Sequence, residues 1–146
     1  MQLCDRRFAD LDPLTLYALL RLREGVFVVE QQCAYAELDG RDTEPGTRHR
    51  WVTEGGEPLA YLRVLDEPDG TARIGRVCTA FAARNRGLAG RLLAATLDTL
   101  ANRPVVLDAQ SYLSGWYARF GFVPDGTEFI EDGIPHLPMR RPTVGR

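Results

Sequence analysis

The chain has 146 residues with a formal net charge of -2, 45% of them hydrophobic and 26% charged. That length and balance fit one domain with a real core and exclude a disordered chain. Near-neutral charge disfavours a nonspecific nucleic-acid binder, and no apolar run is long enough to cross a membrane, so neither partner is expected.

In chain order, residues 3–8 can form a first strand. Asp12-Pro13 is a helix start, with Asp12 able to cap and Pro13 suited to the first helical position. Residues 14–27 then read as a helix that is apolar around much of its circumference, so it should be largely covered. Residues 30–47 form the most acidic window, with Glu30, Glu37, Asp39, Asp42 and Glu44 among turn-forming glycines and a proline. It reads either as a solvated loop or as a wall that draws in a cationic amine.

Residues 48–53 and 59–65 flank Glu54-Gly55-Gly56-Glu57 as a hairpin, and Pro68-Asp69-Gly70 leads into a strand over Ala72–Thr79. Next comes the turn Arg84-Asn85-Arg86-Gly87-Leu88-Ala89-Gly90. Leu88, Leu92, Leu93, Leu97 and Leu100 follow at helical spacing. Pro104 stops that helix, and Val105-Val106-Leu107 reads as a buried strand. Leu113, Trp116, Tyr117 and Phe120 predict another helix, ended by Gly121. Phe122, Phe129-Ile130 and Leu137-Pro138-Met139 suggest two last strands joined near Asp132-Gly133, with a frayed tail from Arg140.

No repeat, low-complexity stretch or second domain is visible, so residues 1–146 read as a single α+β domain. Cys4, Cys33 and Cys78 are odd in number and widely spaced. They read as reduced thiols of a cytoplasmic protein, with no zinc site or disulfide framework expected. The N-terminus lacks the apolar core of a signal peptide.

The turn before the leucine-bearing helix carries the chemistry. A helix start offers unpaired N–H groups and the positive end of the dipole. Gly87, Ala89 and Gly90 leave the backbone approachable, and Arg84 and Arg86 add charge, which suits a pyrophosphate. The plainer alternative is a solvated, arginine-bearing loop. A P-loop is excluded because the chain has no lysine, and the glycine spacing is wrong for a dinucleotide fold.

Arg84-x-x-Gly87-x-Ala89 resembles the acyl-CoA pyrophosphate loop of the GNAT superfamily of N-acyltransferases. Trp116-Tyr117-Ala118-Arg119-Phe120-Gly121-Phe122 resembles the later Tyr-x-x-x-Gly-Phe segment of the same superfamily. Over residues 10–140 the chain is similar to the ElaA-like branch. That likeness is carried by Arg23-x-x-Val26-Phe27-Val28-Val29-Glu30-Gln31-x-Cys33-x-Tyr35, Glu37-Leu38-Asp39-Gly40-x-Asp42, His49 and Glu131-Asp132-Gly133-Ile134-Pro135-His136.

The resemblance implies a GNAT-type fold. Its sheet would be mixed and mostly antiparallel, of about seven strands, with helices on both faces and a central β-α-β acyl-CoA unit. It implies an N-acetyltransferase that passes the acetyl group of acetyl-CoA to a primary amine by direct attack in a ternary complex. Val77, Cys78 and Thr79 would pair with the pantetheine amides. Arg84, Arg86, Gly87, Leu88, Ala89 and Gly90 would hold the pyrophosphate, with Gln110 beside the CoA.

Tyr117 would protonate the departing thiolate, although an aromatic at this spacing also reads as core. Arg23, Glu30, Glu37, Asp39 and His49 are the substrate-side candidates, with His136 behind them. Glu30 follows an apolar run. Burial would raise its pKa towards a useful value, or it pairs with Arg23 as a structural bridge.

A fainter likeness ties Arg23, Phe27, Glu37, Asp39, Asp42 and Arg63 to acyl-homoserine-lactone synthases. A non-catalytic acyl-CoA-binding module is the third reading. A homodimer is allowed but not required.

Overall fold

A computed structural model describes residues 1–143. One open mixed sheet contains β1 (Gln2–Arg7), β2 (Arg48–Glu54), β3 (Glu57–Asp66), β4 (Ala72–Thr79), β5 (Val105–Gln110), β6 (Val123–Pro124), β7 (Phe129–Glu131) and β8 (Ile134–Arg141). The order is β1-β2-β3-β4-β5-β8-β6, with β7 on β8, and among the described residues only the β4–β5 pair is parallel. The described residues form eight strands, close to the seven or so expected, the two residues after Phe122 adding a short one by pairing with Arg140 and Met139. The segment expected to fray therefore begins inside β8, and only residues 144–146 of that tail lie outside the described residues.

Three helices cover the sheet: α1 (Pro13–Glu24), α2 (Leu88–Thr99) and α3 (Ser114–Ala118). Asp12 caps α1, its carboxylate accepting the Thr15 N–H at 2.8 Å. α2 starts at Leu88 and buries Leu88, Leu92, Leu93 and Leu97, the stripe its spacing predicts. These side chains meet Val52, Ala60, Leu62, Val64, Ile74, Val105 and Met139 in the larger core. Leu19 of α1 meets Trp51, Tyr61 and Cys78 on the opposite face. Along β3 the faces alternate, so Ala60, Leu62 and Val64 point to α2 while Tyr61 points to α1.

Two expectations need correction. The helix over residues 14–27 is not largely covered: Leu14 and Tyr17 are exposed, and only Leu19 and Arg23 are buried. It also stops being α-helical at Glu24, and residues Gly25–Glu30 form one wider π-helical turn. Among the described residues no helix is long and apolar enough to cross a membrane.

Candidate active site

β4 and β5 pair at only two positions, Ala72 with Val105 and Arg73 with Val106. Beyond Arg73 the strands separate, and β4 turns an unpaired backbone edge towards the gap. A cavity of about 550 Å³ fills that gap. Val77, Cys78 and Thr79 line it from β4, and Leu107, Asp108 and Gln110 from β5.

A bulge in β4 shapes the cavity wall. Tyr61 pairs with Cys78 and Arg63 with Gly75, so three steps along β4 match two along β3. Arg76 is in the bulge, at φ +55°. The extra residue reverses the inside-outside alternation. Ala72 and Ile74 face α2, and after the bulge Val77 does, while Cys78 faces α1. The break corresponds to the spacing Ile74-x-x-Val77, three apart where a regular strand spaces by two, which the sequence alone did not mark as a bulge.

At the start of α2, Gly87 is the cap residue at φ +71°, and Asn85 sits at φ +65°. Such left-handed turns gather successive N–H groups into anion-binding concavities. Gly87 is required by its backbone angle. At Gly90 an added Cβ would meet Phe120 at 3.5 Å, an ordinary contact. Arg84 and Ala89 line the cavity, whereas Leu88 is buried in the core. The Arg84 guanidinium donates to Glu30 at 2.7 Å and to the Thr79 carbonyl at 3.2 Å. Arg86 pairs with Glu54 at 3.1 Å.

Tyr117 lines the cavity from α3 and is 6% exposed. Its ring stands edge-on to Trp116 and Phe122, with centroids 4.9 and 6.0 Å away. Burial pushes the phenol above its usual range, so it carries its proton at neutral pH. Among the described residues its hydroxyl has no hydrogen-bond partner.

The acidic window is a largely exposed loop, but its carboxylates are paired with arginines and do not form a bare acidic wall. Arg23, 1% exposed, donates to Glu37 at 2.7 Å and to Asp42 at 2.8 Å. Arg63 reaches Asp39 at 2.9 Å and Asp42 at 3.1 Å. Arg76 reaches Glu37 at 3.1 Å and stacks over Tyr35, whose hydroxyl bonds the same carboxylate. Three arginines thus balance three carboxylates.

Burial opposes ionisation of Asp39 and Asp42. The arginine hydrogen bonds and charges outweigh it and hold both below the ordinary carboxylate range. Of this network, Tyr35, Arg63 and Arg76 line the cavity.

Glu30 lines the cavity, but it is exposed and its partner is Arg84, not Arg23. The hydrogen bond from Arg84 lowers its pKa, the reverse of the expected rise. His49 is 1% exposed and does not line the cavity. Its Nδ1 lies 2.6 Å from the Tyr61 hydroxyl and its Nε2 lies 2.9 Å from the Asp42 carbonyl. Burial pushes its pKa down.

The cavity therefore brings Val77–Thr79, Arg84, Ala89, Gln110, Tyr117 and Glu30 together, while Arg23, Glu37, Asp39 and His49 lie outside its lining. Arg86, Gly87 and Gly90 flank it on the turn. The β7–β8 hairpin adds Glu131, Asp132 and His136. The Asp132 carbonyl accepts the Cys33 thiol at 3.4 Å, which ties that hairpin to the loop after the π-helical turn. Arg76 was missed as a site residue, because nothing near it in sequence marks it.

Residues 22–142 match the family model described as an acetyltransferase (GNAT) domain. The chain is 52% identical over 141 residues to a UPF0039 protein of Mycobacterium bovis, covering 94% of this chain and 90% of that one. It is 39% identical over 146 residues to protein ElaA of Escherichia coli, covering 96% and 95%. A solved acyl-CoA N-acyltransferase from Pseudomonas aeruginosa superposes with a TM-score of 0.91 at 43% identity, covering 97% of this chain and 99% of that one.

Proposed function

This chain belongs to the GNAT acetyltransferase family, and from that membership we propose that it transfers the acetyl group of acetyl-CoA to a primary amine. The observation that carries the reading is one continuous cavity. It runs from the start of α2, along the free edge of β4, to the phenol of Tyr117.

The diphosphate lies on the N–H groups at residues 86–90, where the helix dipole and Arg84 and Arg86 favour negative charge. The pantetheine arm adds to the unpaired edge of β4 at Val77, Cys78 and Thr79 as an extra strand would. Gln110 faces it from β5. Backbone N–H groups on that edge stabilise the charge that develops on the thioester oxygen. The Tyr117 phenol, protonated at neutral pH, supplies the proton that the departing thiolate needs.

Direct transfer is favoured over a covalent acyl-enzyme. Cys78 lines the cavity, but burial pushes its thiol up to about 12. It is held as a poor nucleophile. The three cysteines are free and suit a reducing compartment, the cytoplasm.

The test is thiol release from acetyl-CoA on adding a panel of primary amines. Amine-dependent thiol release is expected. Tight CoA binding with no release from any amine would favour the binding-module reading instead. Methylthioadenosine formed from S-adenosylmethionine would favour the lactone-synthase reading.

A further inference from the structure

Of the substrate-side candidates, the four that could take a proton from the amine, Glu30, Glu37, Asp39 and His49, are all engaged elsewhere. Glu30 is held by Arg84, Glu37 by Arg23 and Arg76, and Asp39 by Arg63. Both ring nitrogens of His49 are bonded, away from the cavity.

His136 differs. It is in β8 opposite Gln110 of β5 and Phe129 of β7, and it lines the cavity. Its Nδ1 lies 2.8 Å from the Ile134 carbonyl. A carbonyl only accepts, so Nδ1 is the donor in this contact, and among the described residues Nε2 has no hydrogen-bond partner. The ring is stacked on Phe129 at 5.5 Å and 18°, which fixes its plane. Imidazole is the side chain most often used to accept a proton in catalysis.

We propose that His136 is the general base of the acyl transfer. The inference rests on the acetyltransferase reading above. The substrate ammonium first loses one proton to solvent. The amine nitrogen then bonds to the thioester carbon and passes its second proton to Nε2. The carbon–sulfur bond breaks, and sulfur takes the proton of Tyr117. The phenolate and imidazolium are reset by exchange with solvent through the cavity, so one amide, one free thiol and one net proton result.

The other titratable groups on the elements around His136 are Asp108 on β5, Tyr112 in the turn before α3, Tyr117 on α3, Cys33 against the Asp132 carbonyl, and Glu131, Asp132, Arg140 and Arg141 on its own hairpin. Asp108 is paired with Arg73 at 3.2 Å.

His136→Asn is the informative variant, because its amide can still donate to the Ile134 carbonyl while the base is gone. Acetyl-CoA affinity by calorimetry should stay within roughly twofold, while kcat with an accepted amine falls about 100-fold. The residual rate should climb with pH, and added imidazole should restore part of it. A kcat close to that of the wild type across roughly pH 6 to 9 overturns the proposal. Should the wild-type protein bind acetyl-CoA and acetylate no amine, the acetyltransferase reading fails separately. Independently of activity, 15N NMR reads the ring: a hydrogen on Nδ1 is expected, and a hydrogen on Nε2 alone at neutral pH overturns the proposal.

Discussion

The two sides of the cavity are built on different physics. The side proposed to hold the cofactor is local: one turn, one helix start and one free strand edge, all between Ala72 and Gln110. The side proposed for the acceptor is long-range. Arg23, Arg63 and Arg76 come from α1, β3 and β4 and converge on three carboxylates in the loop between them. The first side leaves backbone groups open to a ligand. The second uses its charges to hold chain to chain, and only its outer members reach the cavity. An acidic window in a sequence therefore need not be an acidic surface.

The largest expected effect lies on the acceptor side. Arg23→Ala leaves Glu37 and Asp42 buried without their shared guanidinium, a loss of about 3–5 kcal/mol. Urea unfolding should show it, with a fall in melting temperature of roughly 10 °C or more. On the opposite face Leu93→Ala should cost about 2–5 kcal/mol through the cavity it leaves. If Arg23→Ala proves near-neutral while Leu93→Ala does not, the ionic network is not what holds the acceptor side together.

Tyr117→Phe comes next. The ring packing remains, so stability should change by less than about 1 kcal/mol while kcat falls roughly 10- to 100-fold. Unchanged turnover at every pH would remove the proton-donor role.

Acid should expose the network further. The folded pKa values of Asp39 and Asp42 lie below the ordinary carboxylate value of 3.8. Folding thus gains stability from them above that value and loses it as pH falls through the depressed values. The urea midpoint of wild-type protein should drop steeply below about pH 4. Asp39→Asn should start lower at pH 7 and fall less steeply in that window. Parallel curves for the two proteins would contradict this.

The smallest effect belongs to Glu30→Gln. Glu30 and Arg84 are exposed or half-exposed, and such pairs contribute little. Acetyl-CoA affinity should move by less than about threefold, since the freed guanidinium stays beside the Thr79 carbonyl.

How much of this was legible in the sequence follows the same division. Asp12 as a cap, β4 to its last residue and the first residue of α2 were all readable from short-range signals. Helices on both faces and a central parallel pair were also foreseen. The partners of Glu37 and Asp39 were not readable, because Arg76 lies 39 and 37 residues away and only the folded sheet brings it there. The direction of the Glu30 shift failed for the same reason: Arg84 is 54 residues distant. The bulge at Arg76 hid in a spacing of three between Ile74 and Val77 that looked like a loose strand. His136 was weighed only as a lone histidine. Its distinction, one nitrogen fixed and one free, is a property of the β7–β8 hairpin.

The most direct test of the central claim is a crystal structure with coenzyme A bound. The account predicts diphosphate oxygens at hydrogen-bond distance, about 3 Å, from the N–H groups at the start of α2. It places the sulfur between Thr79 and Gln110, beside the Tyr117 hydroxyl. Coenzyme A bound elsewhere, or a sulfur pointing away from Tyr117, would contradict it.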